Sequence, residues 1–202
     1  MPSRQNTLKE ILIDAFGEGQ CLPREQYLDS PFHEEISFVY KELGGRLSIY
    51  PTGFRGFDIK LKGFVVELDE EQHFNRYRHF TLLSQFYKSE SVKEYREYCS
   101  EFEENCLARA RYGNYWRTDS TDKQFGPSEL NGTLDGAGSS RWKQRAFYDY
   151  LRDVGAKMAG YQLVRISIYD RVDRVRIGDI LQNRKRDLYN RVVDLVRSKR
   201  TD

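Results

Sequence analysis

The segment 57–69 carries three carboxylates, on Asp58, Glu67 and Asp69, in a pattern typical of a β-hairpin. Apolar residues alternate along the segment, and Lys62-Gly63 can form a two-residue turn. That turn places Asp58 directly across from Glu67, with Asp69 one side-chain repeat further along the same face. Like charges in such positions destabilise a hairpin by roughly 0.2–1 kcal/mol per pair, whereas hard divalent cations bind carboxylate oxygens. We therefore predict these three residues as ligands of Mg²⁺ or Mn²⁺; a solvated acidic edge with a different turn register is the alternative.

Three basic side chains are candidates to assist a metal ion at the hairpin. A bound metal ion lowers the pKa of a water molecule and shields the charge that develops on a phosphate, and a nearby base or cation helps. His73 follows the hairpin closely, Lys60 projects from its acidic face, and Lys143 lies on a later helix. A surface or purely structural role is the alternative for His73.

The remaining pattern predicts helices around a sheet. Helices are predicted at 7–16, about 30–43, 140–154 and about 176–199, and strands at 46–50 and 161–169 in addition to the hairpin. This order predicts an α/β fold with a central mixed sheet that contains an antiparallel hairpin and is flanked by helices. Glu35 lies near the start of the second helix and is a further acidic candidate, although Glu34 and Glu35 would also suit the dipole of that helix.

A long insertion at about 74–139 separates the hairpin from the second half of a predicted single domain, 1–202. A capping-box pattern at 91–94 predicts a helix that carries Cys99 and Cys106 at core-type positions. Residues 113–140 are predicted to be irregular and include Trp116 among aromatic and basic neighbours. Aromatic side chains in such a loop can stack on nucleic-acid bases or anchor the loop on the core.

Composition limits the classes of protein to which the chain can belong. The net charge of +2 is too small to indicate nucleic-acid binding by itself, so any basic surface must come from local clustering. No apolar run approaches the length of a membrane span, so no membrane partner is expected. Three cysteines and no apolar signal-peptide segment predict a cytoplasmic protein with free thiols.

The residues around the hairpin resemble the core of the PD-(D/E)xK, or restriction-endonuclease-like, superfamily. The matching features are Asp58, the run Val65-Val66-Glu67-Leu68-Asp69, and Gln72-His73 after it. They are most similar to the branch of very-short-patch-repair endonucleases and related small domains. An acidic residue in the preceding helix, a basic helix with Lys143 and Arg145, and a strand containing Leu163-Val164-Arg165-Ile166 are similar as well.

The resemblance covers 31–73 and 140–170, and it implies a mixed sheet flanked by helices and metal-dependent hydrolysis of phosphodiester bonds. DNA is the implied substrate ahead of RNA. Asp58, Glu67 and Asp69 would hold the metal ion, His73 and Lys143 would position water or phosphate, and Glu35 would complete an acidic pocket.

The chain departs from the superfamily pattern in two ways. Asp69 stands where the motif has a lysine, so Lys143 is our first substitute for that cation and Lys60 our second. The insertion at 74–139 has no counterpart in compact members. It could be a lid that reads substrate, an element that forms a homodimer, or a sign that the function has changed.

Three functions therefore remain open from the sequence. The first is a metal-dependent nuclease, and the second is a nuclease fold that binds nucleic acid or a protein without cleaving. The third is a metal enzyme that acts on another phosphate substrate.

Overall fold

The structure, a computed structural model, describes residues 3–20, 27–53, 56–88 and 90–200. In chain order its helices and strands are α1 Arg4–Phe16, α2 His33–Glu42, β1 Ile59–Leu61, β2 Phe64–Asp69, α3 Arg76–Thr81, α4 Lys93–Glu101, α5 Glu103–Ala110, α6 Asp119–Phe125, α7 Ser140–Met158, β3 Gln162–Ser167, β4 Arg171–Val172, β5 Val175–Arg176, α8 Ile177–Asn183 and α9 Tyr189–Lys199. Short 3-10 turns occur between several of them.

The chain separates into two compact units. Unit one comprises the described residues of Met1–Glu25, Gly56–Glu70 and Ala156–Asp202, and unit two those of Gln26–Arg55 and Glu71–Gly155. Unit one therefore contains all the strands named above. The predicted insertion at about 74–139 lies within unit two, and the single-domain organisation stays a prediction.

Unit one is built on a mixed sheet in the order β1-β2-β3. β1 pairs antiparallel with β2, with Ile59 opposite Val66, and β3 lies parallel on the other side of β2. All six residues of β2 are buried, as expected for the interior strand of a sheet. The predicted α/β fold class, with an antiparallel hairpin in a mixed sheet, is confirmed.

A glycine segment fixes the outer edge of the hairpin. Gly19 donates its backbone N–H to the Lys60 carbonyl at 2.9 Å, and Glu18 forms a β-bridge with Leu61. A Cβ atom on Gly19 would lie 2.2 Å from the Leu61 carbonyl oxygen, so only glycine allows this approach. The segment therefore covers the edge of β1 and holds the hairpin in place.

Helices of the same unit cover the sheet. α1 contacts β1, α8 and α9, and α9 contacts β3. The helices bury apolar side chains at helical spacing, among them Leu8, Ile11 and Leu12 on α1 and Val192 and Val196 on α9.

Unit two has a core that is rich in aromatic side chains. The Tyr40 ring packs against Phe125 and Phe147, with ring centroids 5.2 and 5.1 Å away. Trp116 packs edge-to-face on Trp142, with centroids 5.3 Å apart, and both side chains are buried. Edge-to-face packing is favourable for aromatic pairs beyond the area that they bury.

Several local predictions are wrong. Residues 113–140 are not wholly irregular, since they contain α6, and the helix predicted to carry Cys99 and Cys106 is divided at Phe102 between α4 and α5. Segment 46–50 is not a strand, because its backbone groups bond within unit two: the Arg46 N–H donates to the Gln124 carbonyl, and the Leu47 N–H donates to the Tyr40 hydroxyl. Ser91 does not cap a helix, since its hydroxyl donates to the Lys88 carbonyl and α4 begins at Lys93.

The predicted C-terminal helix is interrupted. Arg184 adopts a left-handed conformation, with φ of 49°, which ends α8 before α9 begins. The strands β4 and β5 precede α8 and were not predicted. Among the residues that the structure describes, no helix is both long and apolar enough to cross a membrane.

Candidate metal centre and phosphate site

The hairpin holds Asp58 and Glu67 in the predicted positions. Asp58 immediately precedes β1, and the register places it opposite Glu67. The Asp58 backbone N–H donates to Glu67 Oε1 at 2.9 Å, and the Leu68 N–H donates to Asp58 Oδ2 at 3.1 Å. Glu67 is only 3% exposed. Each carboxylate is therefore fixed by a main-chain donor, which offsets part of the repulsion between the two charges.

Asp69 is compensated by a cation from the neighbouring strand. Arg165 Nη1 lies 2.8 and 2.9 Å from the two carboxylate oxygens of Asp69, whose side chain is 1% exposed. Arg165 is the register partner of Glu67 in the parallel pairing of β2 with β3, so its side chain leaves the sheet on the face that carries Glu67 and Asp69. Unit one thus has a half-buried guanidinium on its acidic face.

In unit two, His73 is oriented by a buried carboxylate. His73 ends the 3-10 turn that follows β2, and its Nδ1 lies 2.7 Å from Asp149 Oδ2. Asp149 is on α7, and its other oxygen accepts a hydrogen bond from Arg152 Nη1 at 3.3 Å. An ionised Asp149 favours the tautomer with the proton on Nδ1, which makes Nε2 the acceptor nitrogen of the ring. Carboxylates orient catalytic and metal-binding histidines in this way.

The three predicted ligands of a metal ion all belong to unit one. Glu67 and Asp69 are buried on β2, and Asp58 immediately precedes β1. The roles of Asp58, Glu67 and Asp69 as metal ligands stay predictions.

The two predicted lysines have different surroundings. Lys143 lies in unit two, with Nζ 5.6 Å from the centroid of the Tyr77 ring. Burial, followed by the nearby charge of Arg46, lowers the pKa of Lys143. Lys60 is half-buried in the middle of β1. The catalytic roles of both lysines stay predictions.

Glu35 binds side chains of its own unit. Its carboxylate accepts hydrogen bonds from Ser84 Oγ at 2.5 Å and from Gln85 Nε2 at 2.7 Å. These contacts tie α2 to the segment after α3, which is a structural role. Glu34 is exposed in the first turn of α2, as expected for a residue that favours the helix dipole.

The aromatic loop of the insertion is anchored through Trp116. Its side chain is buried, and its Nε1–H donates to the Glu129 carbonyl at 3.0 Å. Cys99 and Cys106 are buried free thiols, as predicted. Burial raises the pKa of Cys106 to about 12.

Sequence reasoning missed Asp149 and gave Arg165 no role at the site. Both left a signal in the sequence. Asp149 falls in line with Trp142 and Ala146 on the apolar stripe of α7, and Arg165 interrupts the apolar run of β3. A charged residue within a buried stripe needs a partner, which makes it a candidate for a site.

Comparison with known proteins identifies a family but no named relative. A family model described as "Family of unknown function (DUF7255)" matches residues 38–183. The match covers more than half of the chain, so the protein belongs to this family. It includes the hairpin, His73, Asp149 and Arg165, and it stops before α9. No curated protein and no solved structure matches the chain.

Proposed function

We propose that this protein is a metal-dependent hydrolase of phosphodiester bonds in nucleic acid, with DNA as the expected substrate. The observation that carries the proposal is the acidic face of the hairpin in unit one, where Asp58 and Glu67 lie opposite each other and Asp69 is buried further along β2. Carboxylate oxygens are ligands that Mg²⁺ and Mn²⁺ prefer.

The hairpin carboxylates supply what a metal-dependent hydrolysis requires. A metal ion held by Asp58, Glu67 and Asp69 would lower the pKa of a water molecule and shield the charge that develops on phosphate. Asp58 and Glu67 stand opposite each other, and Asp69 lies further along β2. In unit two, Asp149 fixes the orientation of the His73 ring, with Nδ1 at 2.7 Å from Oδ2.

In this proposal, Arg165 provides the positive charge that the lysine of the superfamily motif would otherwise provide. Its guanidinium pairs with Asp69 and leaves the sheet on the face of Glu67. A guanidinium binds phosphate oxygens through two parallel hydrogen bonds and stays charged at all relevant pH values. It can therefore exchange Asp69 for a phosphate when metal and substrate bind.

One specific observation favours a second function, nucleic-acid binding without cleavage. The Asp58 and Glu67 carboxylates accept main-chain hydrogen bonds, and Asp69 is paired with Arg165. Since these contacts satisfy acidic oxygens without an ion, a former nuclease would keep the same arrangement. The presence or absence of metal-dependent cleavage separates the two functions.

The test combines a cleavage assay with a direct measurement of metal binding. Purified protein is incubated with supercoiled DNA, linear DNA and single-stranded RNA in Mg²⁺, Mn²⁺ or EDTA. We expect cleavage with either ion and none with EDTA. Asp69→Asn and Glu67→Gln should abolish cleavage and weaken Mn²⁺ binding in calorimetry, whereas Asp14→Asn, at an exposed position of α1, should change neither.

The outcomes separate the alternatives. Mn²⁺ binding that requires Glu67 and Asp69 without cleavage of any nucleic acid would favour another phosphate substrate. DNA binding without metal affinity would favour the non-cleaving function. A protein with neither cleavage nor divalent-metal affinity would rule out the proposal.

A further inference from the structure

Positive charge is concentrated in the C-terminal part of unit one. Residues 171–200 contain ten Lys or Arg against four Asp, a net charge of +6, while the whole chain has +2. The rest of the chain is therefore net negative, at −4. Such an asymmetry within one chain indicates a surface that meets a polyanion.

A short β-ribbon presents part of this charge. β4 and β5 pair with Val172 opposite Val175, and Asp173 and Arg174 form the two-residue turn. Both turn residues have positive φ, 47° for Asp173 and 68° for Arg174. Asn-Gly is the preferred sequence for such a turn, and an arginine in the left-handed region is strained. The exposed Arg174 occupies the tip despite that strain, and strained backbone of this kind clusters at functional sites.

The ribbon tip lies next to the start of α9. Asp173 Oδ2 is 3.2 Å from Arg191 Nε, and both side chains are more than half exposed. Lys185 and Arg186 stand in the short connection between α8 and α9. Within the described part of the chain, Arg174, Lys185 and Arg186 form no ion pair with a carboxylate. We call Arg171, Arg174, Lys185, Arg186 and Arg191 the ribbon surface.

The chemistry of the ribbon surface fits a nucleic-acid backbone better than a membrane. Four of its five cations are arginines, which bind phosphate oxygens in a bidentate geometry. A two-stranded ribbon is narrow enough to enter the major groove of DNA. Membrane-surface segments insert apolar side chains, and none of the large exposed apolar side chains of the described residues lies in 171–200.

We propose that the ribbon surface binds the phosphate backbone of double-stranded DNA. The inference goes beyond the proposed hydrolase activity, because this surface can bind DNA whether or not the protein cleaves it. Arg174 at the strained turn is the residue that the geometry singles out. Asp173 acts as a positioning residue, since its contact with Arg191 holds the tip beside α9.

The test measures binding of a fluorescent 20-base-pair duplex by anisotropy in EDTA at several salt concentrations. The triple variant Arg174→Ala, Lys185→Ala, Arg186→Ala should bind at least tenfold more weakly. The plot of the logarithm of its association constant against the logarithm of the salt concentration should be less steep by about 3, since each of the three lost phosphate contacts contributes about 0.9 to the steepness. The control triple Lys88→Ala, Lys93→Ala, Lys123→Ala removes three exposed charges from unit two and should bind like the wild type.

Single variants at Arg174 separate charge from stability. Arg174→Gly removes the strain and the charge together, so we expect a higher melting temperature but weaker DNA binding. Arg174→Lys keeps the charge and should retain most of the binding. A purely structural role for Arg174 would instead leave DNA binding of Arg174→Gly unchanged.

Several results would overturn the inference. The first is an equal affinity of the wild type and the ribbon triple variant for DNA. The second is an equal loss of DNA affinity in the control triple variant. The third is tighter binding to vesicles with 30% phosphatidylserine than to DNA, if that binding depends on the ribbon surface. Because binding is measured in EDTA, a protein that binds through the ribbon surface but does not cleave would contradict only the hydrolase proposal. Cleavage that is unaffected in the ribbon triple would contradict only this inference.

Discussion

Replacing Arg165 with methionine should leave Asp69 as a buried carboxylate without its guanidinium partner. Asp69 is 1% exposed and Arg165 is 11% exposed in side-chain terms, and both Asp69 oxygens lie within 2.9 Å of Arg165 Nη1. Breaking a buried ion pair by removing one partner costs about 3–5 kcal/mol. We expect the free energy of unfolding of Arg165→Met to fall by that amount in EDTA.

A double-mutant cycle isolates the interaction from the loss of packing. Asp69→Asn removes the charge from the other partner, and the double variant removes both charges together. The two changes should be coupled, so the double variant should be about 1–3 kcal/mol more stable than the sum of the single losses predicts. The assay is urea denaturation followed by tryptophan fluorescence and circular dichroism, with Asp14→Asn as a control that changes stability by less than about 0.5 kcal/mol.

Metal ions add a second test of the same site. Mn²⁺ at one hundred times its dissociation constant should stabilise the wild type by about 2.7 kcal/mol, because it binds the folded state. If the ion supplies the charge that Arg165 otherwise provides to Asp69, the same concentration of free Mn²⁺ should stabilise Arg165→Met by more than it stabilises the wild type. Additive losses in the cycle would refute a direct Arg165–Asp69 interaction. Equal stabilisation by Mn²⁺ would refute competition between Arg165 and the metal.

Three further changes test the site and its surroundings. Glu67→Gln should weaken Mn²⁺ binding by at least about tenfold, since the proposed metal site would lose a carboxylate oxygen; calorimetry that shows unchanged affinity would contradict the proposed metal site. Trp116→Ala should cost about 3–5 kcal/mol in urea denaturation because the ring is buried against Trp142, whereas Tyr115→Ala, at 56% exposure, should cost less than about 0.5 kcal/mol. Cys106, with a pKa raised by burial to about 12, should not react with a thiol reagent at pH 8 until the protein is unfolded; rapid labelling of the native protein would contradict its burial.

The hairpin was predictable because its information is local. The alternation of apolar residues and the Lys62-Gly63 turn specify a register in which every side chain has one partner. The confirmed pairing of Ile59 with Val66 follows from that register. The segment 46–50 shows the opposite case, since its strand-like pattern finds no neighbouring strand and its backbone bonds to Tyr40 and Gln124 instead.

The partners of the site residues were less predictable because they are distant in sequence. Arg165 reaches Asp69 only after the chain has passed through 95 intervening residues and formed a parallel pair. Asp149 meets His73 through a contact that spans 76 positions. The sequence shows Asp149 and Arg165 as charged residues among apolar ones, but it does not show which distant residue is the partner of each.

If the proposed resemblance holds, Asp69 stands where the superfamily motif has a lysine, and Arg165 keeps a positive charge on the same face. A lysine there would carry its positive charge on the same strand as Glu67. With Asp69 in that place, the strand gains a negative charge, and β3 supplies the positive one through Arg165 in register with Glu67. The acidic oxygens thus increase in number while the local charge stays partly balanced. A divalent ion must then compete with a guanidinium for Asp69, so metal affinity should be strongest when a phosphate is present to accept Arg165. Metal and phosphate would therefore bind cooperatively, so inorganic phosphate should raise the affinity for Mn²⁺ in calorimetry, and an unchanged affinity would refute the exchange of Asp69 for phosphate at Arg165.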